Sequence, residues 1–404
     1  MGKTKYPVRE NMILVALDSK YTYIPKEVFV MLFENSHIYY KRDYIKALED
    51  NKIKFSKLRD LSREAGIPYS LFFAPIEKVE ENINKNNEIL FTGIQEGPIA
   101  IASRGDIRIR DINLIVKDIQ KRQLFLAKNH REVVPNPILN LRQQQTSTDM
   151  ANLIIKSLNL DMDKFRNYSS KDSAYNYLVS CLENNNIIIS RSRKGVMPQT
   201  IKPGLNFSGF SVKHKKYPAI FLHSKDEDRI NDPAGRRIFT IFLLLACIAN
   251  KRFATVSYNQ SVEEPAQNIE YIVAEEILMP EDAISGTRID NINELENIAE
   301  FFKVTPSMAL VRLKRLGCID RETFEKIFEL LKNKWKNDSE QQSKMGFKFN
   351  IKDTTRIVTY NGKLFTTEVI NLLRANKLSA GDASRLLFFK KKSKSLLNEL
   401  KENI

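Results

Sequence analysis

The amino-acid sequence predicts an α+β protein that is predominantly helical. Its 404 residues include 42% hydrophobic and 28% charged residues, a composition typical of a globular chain of about two to three domains. Apolar residues recur at helical spacing in most segments, as at Ile112, Ile115, Val116 and Ile119. Short apolar runs without this spacing occur mainly in residues 187–223, which predicts a small sheet among the helices.

The first segment, residues 1–80, is predicted to be a helical domain. Short helices are expected at Lys26 to Glu34, at Tyr44 to Leu48 and at Phe55 to Ala65, because apolar residues there follow helical spacing. Gly66 directly follows the third of these segments and is a typical helix stop.

Residues 81–145 are predicted to connect this domain to the rest of the chain. Ile89 to Ile94 and Pro98 to Ala102 are apolar, and they predict short strands or docking segments. Asp106 to Asn129 predicts one long helix. The polar, glutamine-rich stretch Arg142 to Thr148 predicts a linker.

Residues 146–335 are predicted to form a mixed domain with a small sheet. Strands are expected at Ile187 to Ser190, at Phe207 to Val212 and at Ala219 to His223. The apolar run Ile238 to Ala249 predicts a buried helix that packs on this sheet, because its 12 residues are too few to cross a bilayer. A membrane-spanning helix needs about 20 residues.

Three more helices are predicted in the same domain after this apolar run. The first covers Ala266 to Leu278 and is ended by Met279-Pro280. The other two form a pair, Ile292 to Phe302 and Ser307 to Leu316, which is joined by a short segment that contains Pro306.

Residues 336–404 are predicted to be a basic, helical C-terminal domain. A strand is expected at Ile357 to Tyr360, and helices are expected at Thr366 to Ala375 and at Ala380 to Phe389. Residues 331–404 contain 16 Lys and Arg against 7 Asp and Glu, so more than half of the net charge of +15 lies there. Such an asymmetry indicates an anionic partner, although a lysine-rich solvated surface would give the same total.

The cysteines and the N-terminus favour a cytoplasmic protein. Cys181, Cys247 and Cys318 are odd in number and far apart, which argues against a disulfide framework and a cysteine-rich metal site. The polar stretch Met1 to Arg9 is not followed by the apolar segment of a signal peptide.

Segments of the mixed domain resemble, in the same order, the ImmA/IrrE family of metallopeptidase-like proteins. Arg236 to Cys247 is similar to the family's zinc-binding helix, and Pro218 to His223 is similar to the strand before it. Glu270 to Pro280 resembles the next helix, which ends in a leucine-rich turn before Met-Pro. Val304 to Asp320 resembles a downstream helix pair in which an R-L-x-x-L-G stretch recurs.

The resemblance extends beyond the mixed domain and covers about four-fifths of the chain by the order of its motifs. Ala47 to Pro75 resembles the helix-turn-helix end of fused members, and Gln120 to Gln123 is similar to the helix that follows it. Asn361 to Leu387 resembles their C-terminal tail. The resemblance therefore implies a helix-turn-helix-like N-terminal domain and a zincin-like α+β fold for residues 146–335.

The resemblance also locates the residues that a catalytic zinc would need. Two histidines four residues apart would bind the metal with a carboxylate from the next helix, and a glutamate beside the first histidine would be the general base. Leu243 and Cys247 match the two histidines, and Leu244 matches the glutamate. The third ligand is expected near Gln267 to Ile269, where there is no carboxylate, and Glu270 is out of step.

No other part of the sequence predicts a metal or a cofactor. The histidines His37, His130, His214 and His223 include no pair separated by three or four residues. The chain contains neither a Walker-type glycine loop nor a G-x-S-x-G motif. A protein without a catalytic residue set is therefore the leading prediction.

Three basic patches predict contacts with the phosphates of DNA, although each would also suit a solvated helix face. The first adjoins the predicted helix-turn-helix, the second precedes the long helix, and the third lies near the C-terminus. Their members are Lys52, Lys54, Lys57, Arg59 and Arg63, then Arg104, Arg108 and Arg110, and then Lys390, Lys391, Lys392 and Lys394.

The resemblance implies a regulatory protein of a phage or mobile element. A catalytically inactive relative of these peptidases would bind a protein partner, either a repressor or a toxin, and its basic patches add DNA as a candidate partner. An alternative is an active metal-dependent endopeptidase with an unconventional site that cleaves a repressor. A structural component of a phage or mobile element is a third reading.

Overall fold

The fold is predominantly helical, with two small mixed sheets, in a computed structural model of the chain. Two compact units are present. The smaller unit comprises Met1–Gly93, Ile107–Gln120 and Met197–Leu205, and the larger unit comprises Ile94–Asp106, Lys121–Val196 and Asn206–Ile404. The structure describes residues 9–18, 20–91, 100–101, 109–142, 146–202, 204–205, 207–224, 233–253, 255–256, 268–345, 351–388 and 394–404.

The smaller unit combines a three-stranded sheet with short helices. Its elements are β1 (Met12–Leu17), β2 (Lys20–Pro25), α1 (Lys26–Glu34), α2 (Arg42–Glu49), β3 (Lys52–Lys54), α3 (Phe55–Ala65) and α4 (Ile76–Phe91). In the sheet, β1 lies in the centre, antiparallel to β2 and parallel to β3.

The prediction of a purely helical N-terminal domain is therefore wrong, although its three predicted helices are confirmed. A hairpin is formed by β1 and β2, which pair from Met12↔Pro25 to Leu17↔Lys20. Helical spacing is a local property, whereas a strand depends on partners that the segment itself does not contain. The pairing of β3 with β1 joins residues almost forty positions apart, so local spacing gives little warning of it.

Aromatic side chains form the centre of the smaller unit. Phe29, Phe33, Tyr44 and Phe72 are each at most 1% exposed. The ring centroids of Phe33 and Phe72 are 4.7 Å apart, and those of Phe29 and Phe33 are 5.0 Å apart. Contacts of this kind stabilise beyond the area that they bury, and they connect α1, α2 and the turn after α3.

The larger unit contains a five-stranded sheet and most of the helices. Its elements are β4 (Ala100–Ile101), α5 (Asn113–Asn129, whose first residues belong to the smaller unit), α6 (Ser147–Ser157), α7 (Met162–Arg166), α8 (Lys171–Asn184), β5 (Ile188–Arg191), β6 (Gly209–Val212), β7 (Ala219–Leu222), α9 (Ala234–Ala249), β8 (Thr255–Val256), α10 (Ile269–Leu278), α11 (Glu281–Ile284), α12 (Ile292–Phe301), α13 (Pro306–Arg315), α14 (Arg321–Met345), α15 (Asp353–Asn361), α16 (Lys363–Arg374), α17 (Ala380–Leu387) and α18 (Lys394–Asn403).

The strand order of this sheet is β4-β8-β6-β7-β5. β7 is parallel to β5 and antiparallel to β6, while β8 is antiparallel to β6 and parallel to β4. The three strands predicted in the mixed domain are thus confirmed as β5, β6 and β7. The predicted helices before Met279-Pro280 and around Pro306 are confirmed as α10, α12 and α13.

The predicted buried helix is α9, which packs closely on the sheet. A side chain at Gly209 would collide with the carbonyl oxygen of Phe221, and its Cβ would lie 3.2 Å from Leu244 Cδ1. Glycine is therefore required by the close approach to the backbone of β7, and the helix side chain Leu244 leaves little further room. Among the described residues, no helix has both the length and the apolar character needed to cross a membrane.

Some boundaries differ from the predictions. Ile89 lies in α4, so that apolar segment is helical up to Phe91 rather than a strand, whereas Ala100–Ile101 does form one. The long helix begins only at Asn113, and the described part of the predicted linker ends where α6 begins. The domain limits predicted at residues 80 and 335 fall inside α4 and α14, because both helices continue past them.

The strand predicted at Ile357 to Tyr360 is wrong, because these residues belong to α15. Ile357 and Tyr360 are both 0% exposed, and three residues apart they share one face of the helix. That face lies on β5, where Ser190 Oγ donates a hydrogen bond to the carbonyl oxygen of Tyr360. A short run of branched and aromatic residues does not distinguish a strand from a buried helical turn.

Candidate functional site

The three positions that match the zinc-binding residues lie in the interior of the larger unit. Leu243, Leu244 and Cys247 are each 0% exposed, and all belong to the main apolar core. Every residue from Ile238 to Ala249 is buried, so this part of α9 has no open face along which a substrate would reach it. Burying a leucine side chain contributes about 1.5–3 kcal/mol to stability, so this region supports the fold without a metal.

The surroundings of Cys247 hold its thiol in the protonated form. Burial raises the pKa of Cys247, and the negative charge of Glu270 raises it further. A thiol must lose its proton to bind zinc or to act as a nucleophile. Cys247 therefore acts as a small apolar side chain at neutral pH.

Glu270, at the start of α10, is the carboxylate that the structure brings near Cys247. Sequence reasoning placed it out of step with the site. Its side chain is 1% exposed, and its Oε1 accepts hydrogen bonds from Arg252 Nη1 at 2.8 Å and from Asn250 Nδ2 at 3.2 Å. The Arg252 guanidinium compensates only part of this negative charge, but it gives Glu270 a cationic partner already.

The other two glutamates of α10 belong to a buried ion-pair network. Glu276 pairs with Arg312 on α13, and Arg312 Nε donates to the Met279 carbonyl oxygen at 3.1 Å. Arg315 Nε lies 2.7 Å from Glu275 Oε2. Burial raises the pKa of Glu275 to about 7, while Arg315 and Arg312 act in the opposite direction. The R-L-x-x-L-G stretch that carries Arg312 thus connects α13 to α10.

The four histidines make contacts of other kinds. His223 stacks on Phe207 with ring centroids 4.5 Å apart, and His214 Nδ1 accepts a hydrogen bond from the Tyr217 amide. His130 Nε2 lies 3.0 Å from Glu368 Oε2, and His37 is buried in the smaller unit. In the part of the chain that the structure describes, no three His, Cys, Asp or Glu side chains converge as a metal ion requires. These residues therefore do not fit a catalytic zinc.

The five residues of the first basic patch lie on β3 and α3 of the smaller unit. Lys52 and Lys54 lie on the edge strand β3, and Lys57, Arg59 and Arg63 lie on α3. Acidic neighbours reduce the charge of this patch. Lys57 Nζ is 3.0 Å from Asp43 Oδ2, and both Arg59 and Arg63 approach Asp60 Oδ1 at 3.9 Å.

The other two basic patches are less informative. Arg104, Arg108 and Lys390 to Lys392 lie outside the described residues, and Lys394 is described only as the first residue of α18. Arg110 does not belong to an exposed patch, because its guanidinium stacks 3.8 Å over the Tyr39 ring and lies 3.0 Å from Glu34 Oε2.

Sequence reasoning missed a set of arginines in the larger unit. Arg191 and Arg193 lie at the end of β5, and Arg237 lies in the first turns of α9. All three line one cavity. The signal in the sequence is the basic stretch Arg191 to Lys194 directly after a buried strand, since charged residues seldom follow a strand into the interior without a role.

Comparison with known proteins provides no relative for this chain. No family model, no curated protein and no solved structure matches it.

Proposed function

We propose that this chain is a non-catalytic relative of the ImmA/IrrE metallopeptidases, with a zincin-like larger unit, and that it regulates by binding a partner. The partner class is a repressor or a toxin of a phage or another mobile element. The order of strand β7, helix α9, helix α10 before Met279-Pro280, and the pair α12 and α13 is compatible with that family.

One observation carries the proposal. Leucine, leucine and cysteine occupy the three positions of α9 that would supply two ligands and the general base, and all three are fully buried. The neighbouring carboxylate of Glu270 is paired with Arg252. Polarising a water molecule requires a Lewis acid or a base beside an open position, and this part of α9 offers neither.

Metal analysis and a protease assay test the absence of catalysis. The purified full-length chain is expected to contain zinc well below one equivalent and to leave unfolded protein substrates intact in the presence of added zinc. A stoichiometric zinc, together with proteolysis that a chelator abolishes, would instead establish the active endopeptidase with an unconventional site.

A gain-of-site experiment tests the resemblance to the peptidase scaffold. The Leu243→His/Cys247→His variant places two imidazoles four residues apart beside Glu270, and it is expected to bind cobalt(II) with the absorption of a tetrahedral site. The Phe242→His/Ala246→His variant has the same spacing on another face of α9 and is the matched control. Equal behaviour of the two folded variants, checked by circular dichroism, contradicts a zincin-like arrangement.

The partner is tested by co-purification. The tagged chain is expected to retain a repressor or toxin encoded beside its own gene, whereas an unrelated basic protein of similar isoelectric point does not. Because net charge alone attracts polyanions, the wash includes nuclease and about 0.3 M salt, which screens exposed charges beyond a few ångström. If no neighbouring gene product is retained, the regulatory proposal fails.

DNA binding by the smaller unit is a second candidate function. It is favoured by the position of the first basic patch, whose five cations occur on two consecutive elements, β3 and α3. Arg63 and Lys57 are 71% and 57% exposed in their side chains, so they can reach a phosphate. The acidic neighbours Asp43 and Asp60 oppose this role. A direct measurement of DNA binding therefore has to decide whether the patch contacts phosphates.

Fluorescence anisotropy with a labelled duplex tests this second function. The triple variant Lys54→Gln/Lys57→Gln/Arg63→Gln is expected to weaken binding and to lower the dependence of log K on log salt by about three ionic contacts. The control variant Arg321→Gln/Lys332→Gln/Lys336→Gln removes the same charge from α14. An equal effect of both variants would show that only net charge matters.

A further inference from the structure

The larger unit contains a cavity of about 400 Å³ bordered by α8, the end of β5, the first turns of α9 and α15. We call it the arginine pocket. Its basic lining residues are Arg191, Arg193, Arg237 and Lys363, and its acidic ones are Asp172 and Glu183. Cations therefore outnumber carboxylates around a space that is large enough for a small molecule.

Arg193 is the most informative of these residues. It is 6% exposed, and its guanidinium makes one weak hydrogen bond, from Nη1 to the Ser192 carbonyl oxygen at 3.4 Å. Among the described residues its buried Nε has no hydrogen-bond partner, and Asp172, an acidic residue of the pocket, pairs with Arg237 instead. A buried charge without a counter-ion is costly, so Arg193 needs an anion that the described residues do not supply.

Arg237 is held in place at the edge of the same pocket. Its Nη2 donates to Asp172 Oδ1 at 2.7 Å, and its guanidinium lies 4.3 Å over the Tyr175 ring. The side chain of Asp172 is 74% exposed, so solvent weakens its neutralising effect. Arg237 Nε is buried and has no hydrogen-bond partner among the described residues, so its guanidinium is incompletely satisfied.

The second acidic residue of the pocket has a structural task. Glu183 Oε1 accepts a hydrogen bond from the Leu364 amide at 3.2 Å, in the first turn of α16. Burial raises the pKa of Glu183 to about 7, so this carboxyl is partly protonated near neutral pH. The pocket therefore keeps an excess of positive charge under ordinary conditions.

We propose that the arginine pocket binds a small molecule that carries a phosphate group. Guanidinium groups present planar forks of N–H donors that match phosphate oxygens, and here they come from the end of β5 and from α9. Groups that arrive from different directions suit a tetrahedral dianion better than a planar carboxylate. The cavity exceeds the size of a phosphate, and Asn176, Thr355 and Val358 line the space left for the rest of the molecule.

This site is independent of the absent zinc chemistry. It would provide the larger unit with an effector, bound at the opposite end of α9 from Cys247. Because α15 forms one wall, a ligand would also connect the C-terminal helices to β5.

Isothermal titration calorimetry on the full-length chain tests the proposal with defined probes: inorganic phosphate, pyrophosphate, adenosine 5′-monophosphate and citrate. At least one phosphorylated probe is expected to bind with a Kd below about 1 mM, and citrate is expected to bind roughly tenfold more weakly. The proposal is overturned if no phosphorylated probe binds at about 10 mM, or if citrate binds most tightly.

Two variants of equal charge locate the site. Arg193→Gln is expected to weaken binding of the best probe by roughly tenfold, because it removes the buried guanidinium. Arg385→Gln removes a charge that is 81% exposed on α17 and paired with Asp382, and it is expected to leave binding unchanged. Equal losses in both variants would mean that the probe follows net charge, which refutes the pocket.

A third variant guards against misfolding of Arg193→Gln. Lys363 is exposed at the rim, so Lys363→Gln is expected to fold normally and to weaken binding by about threefold. If Lys363→Gln retains the full affinity for the probe and Arg193→Gln, shown to be folded by circular dichroism, does so too, the ligand binds elsewhere.

Discussion

Two buried arginines of the larger unit have the same chemistry and different surroundings. Arg312 is 2% exposed and lies among Glu275, Glu276 and the Met279 carbonyl oxygen. Arg193 is 6% exposed, and the described residues offer it a single long hydrogen bond. Both guanidinium groups have left bulk water, but only Arg312 has recovered its interactions inside the protein.

The difference in pairing indicates which of the two arginines has a structural role and which is a candidate for binding a ligand. A buried ion pair supported by further hydrogen bonds fixes how two elements pack, as Arg312 does for α10 and α13. A buried cation with incomplete hydrogen bonding lowers stability, and such groups accumulate where a protein binds something else. The comparison therefore points to the arginine pocket, rather than to the apolar α9 interior, as the place to look for a ligand.

The largest expected effect is that of breaking the paired arginine. Arg312→Met leaves Glu276 buried without a cation, and it is expected to lower the free energy of unfolding by about 3–5 kcal/mol. Urea unfolding monitored by the fluorescence of Trp335, the only tryptophan of the chain, reports on this unit. The double variant Glu276→Gln/Arg312→Met is expected to recover part of the loss. A loss below about 1 kcal/mol in the single variant would show that the pair is not buried.

A buried histidine extends the comparison to the smaller unit. Neither ring nitrogen of His37 has a hydrogen-bond partner among the described residues, and burial lowers its pKa from 6.5 to about 4. The unfolded state thus binds a proton at a higher pH than the folded state. Stability is complete above about pH 6.5 and declines as the pH falls towards 4, by roughly 2 kcal/mol between pH 7 and pH 5.

Hydrogen exchange of peptides from α1 and α3, corrected for the intrinsic exchange rate, measures this dependence. His37→Phe is expected to remove it, because phenylalanine occupies a similar volume and does not titrate. His130→Gln changes a half-exposed histidine and is expected to leave it intact. If the wild-type chain shows no loss of protection between pH 7 and pH 5, His37 is not buried in the neutral form.

The smallest expected effect has the opposite sign to the first. Arg193→Met removes a buried cation without a counter-ion, so without ligand it is expected to raise the free energy of unfolding by about 1 kcal/mol. The same Trp335 assay measures it, and Arg385→Met on the surface is expected to change stability by less than about 0.5 kcal/mol. A destabilised Arg193→Met would place Arg193 in the same class as Arg312.

Segments with strong local patterns could be predicted from the sequence. The apolar run of α9 is longer than most strands, so its length alone predicts a buried helix. Gly66 stops α3 with a left-handed φ of 68°, as its residue type predicts. The strands β5 and β7 are short apolar runs between polar turns, so both could be predicted as strands. They pair with one another in the sheet.

The wrong predictions depend on partners distant in sequence. β1 needed both β2 and β3 to become the centre of a sheet, and Ile357 needed β5 to become buried as part of a helix. The carboxylate expected from the helix after α9 is another case in which spacing in the sequence does not show which residues lie close together. Spacing placed Glu270 out of step, but the packing of α9 against α10 brings it close enough for its charge to raise the pKa of Cys247.

The sequence by itself determined the helical character of the chain, the main strands and the absence of histidine and carboxylate side chains from α9, because these depend on residue type and local spacing. Only the tertiary structure decided which charges share an environment. Arg193 and Arg237 are separated by forty-three other residues, and no local pattern shows that they line one cavity or that carboxylates surround Arg312 instead. Burial and distance determine the energy with which two charges interact, and both are defined only after the chain has folded.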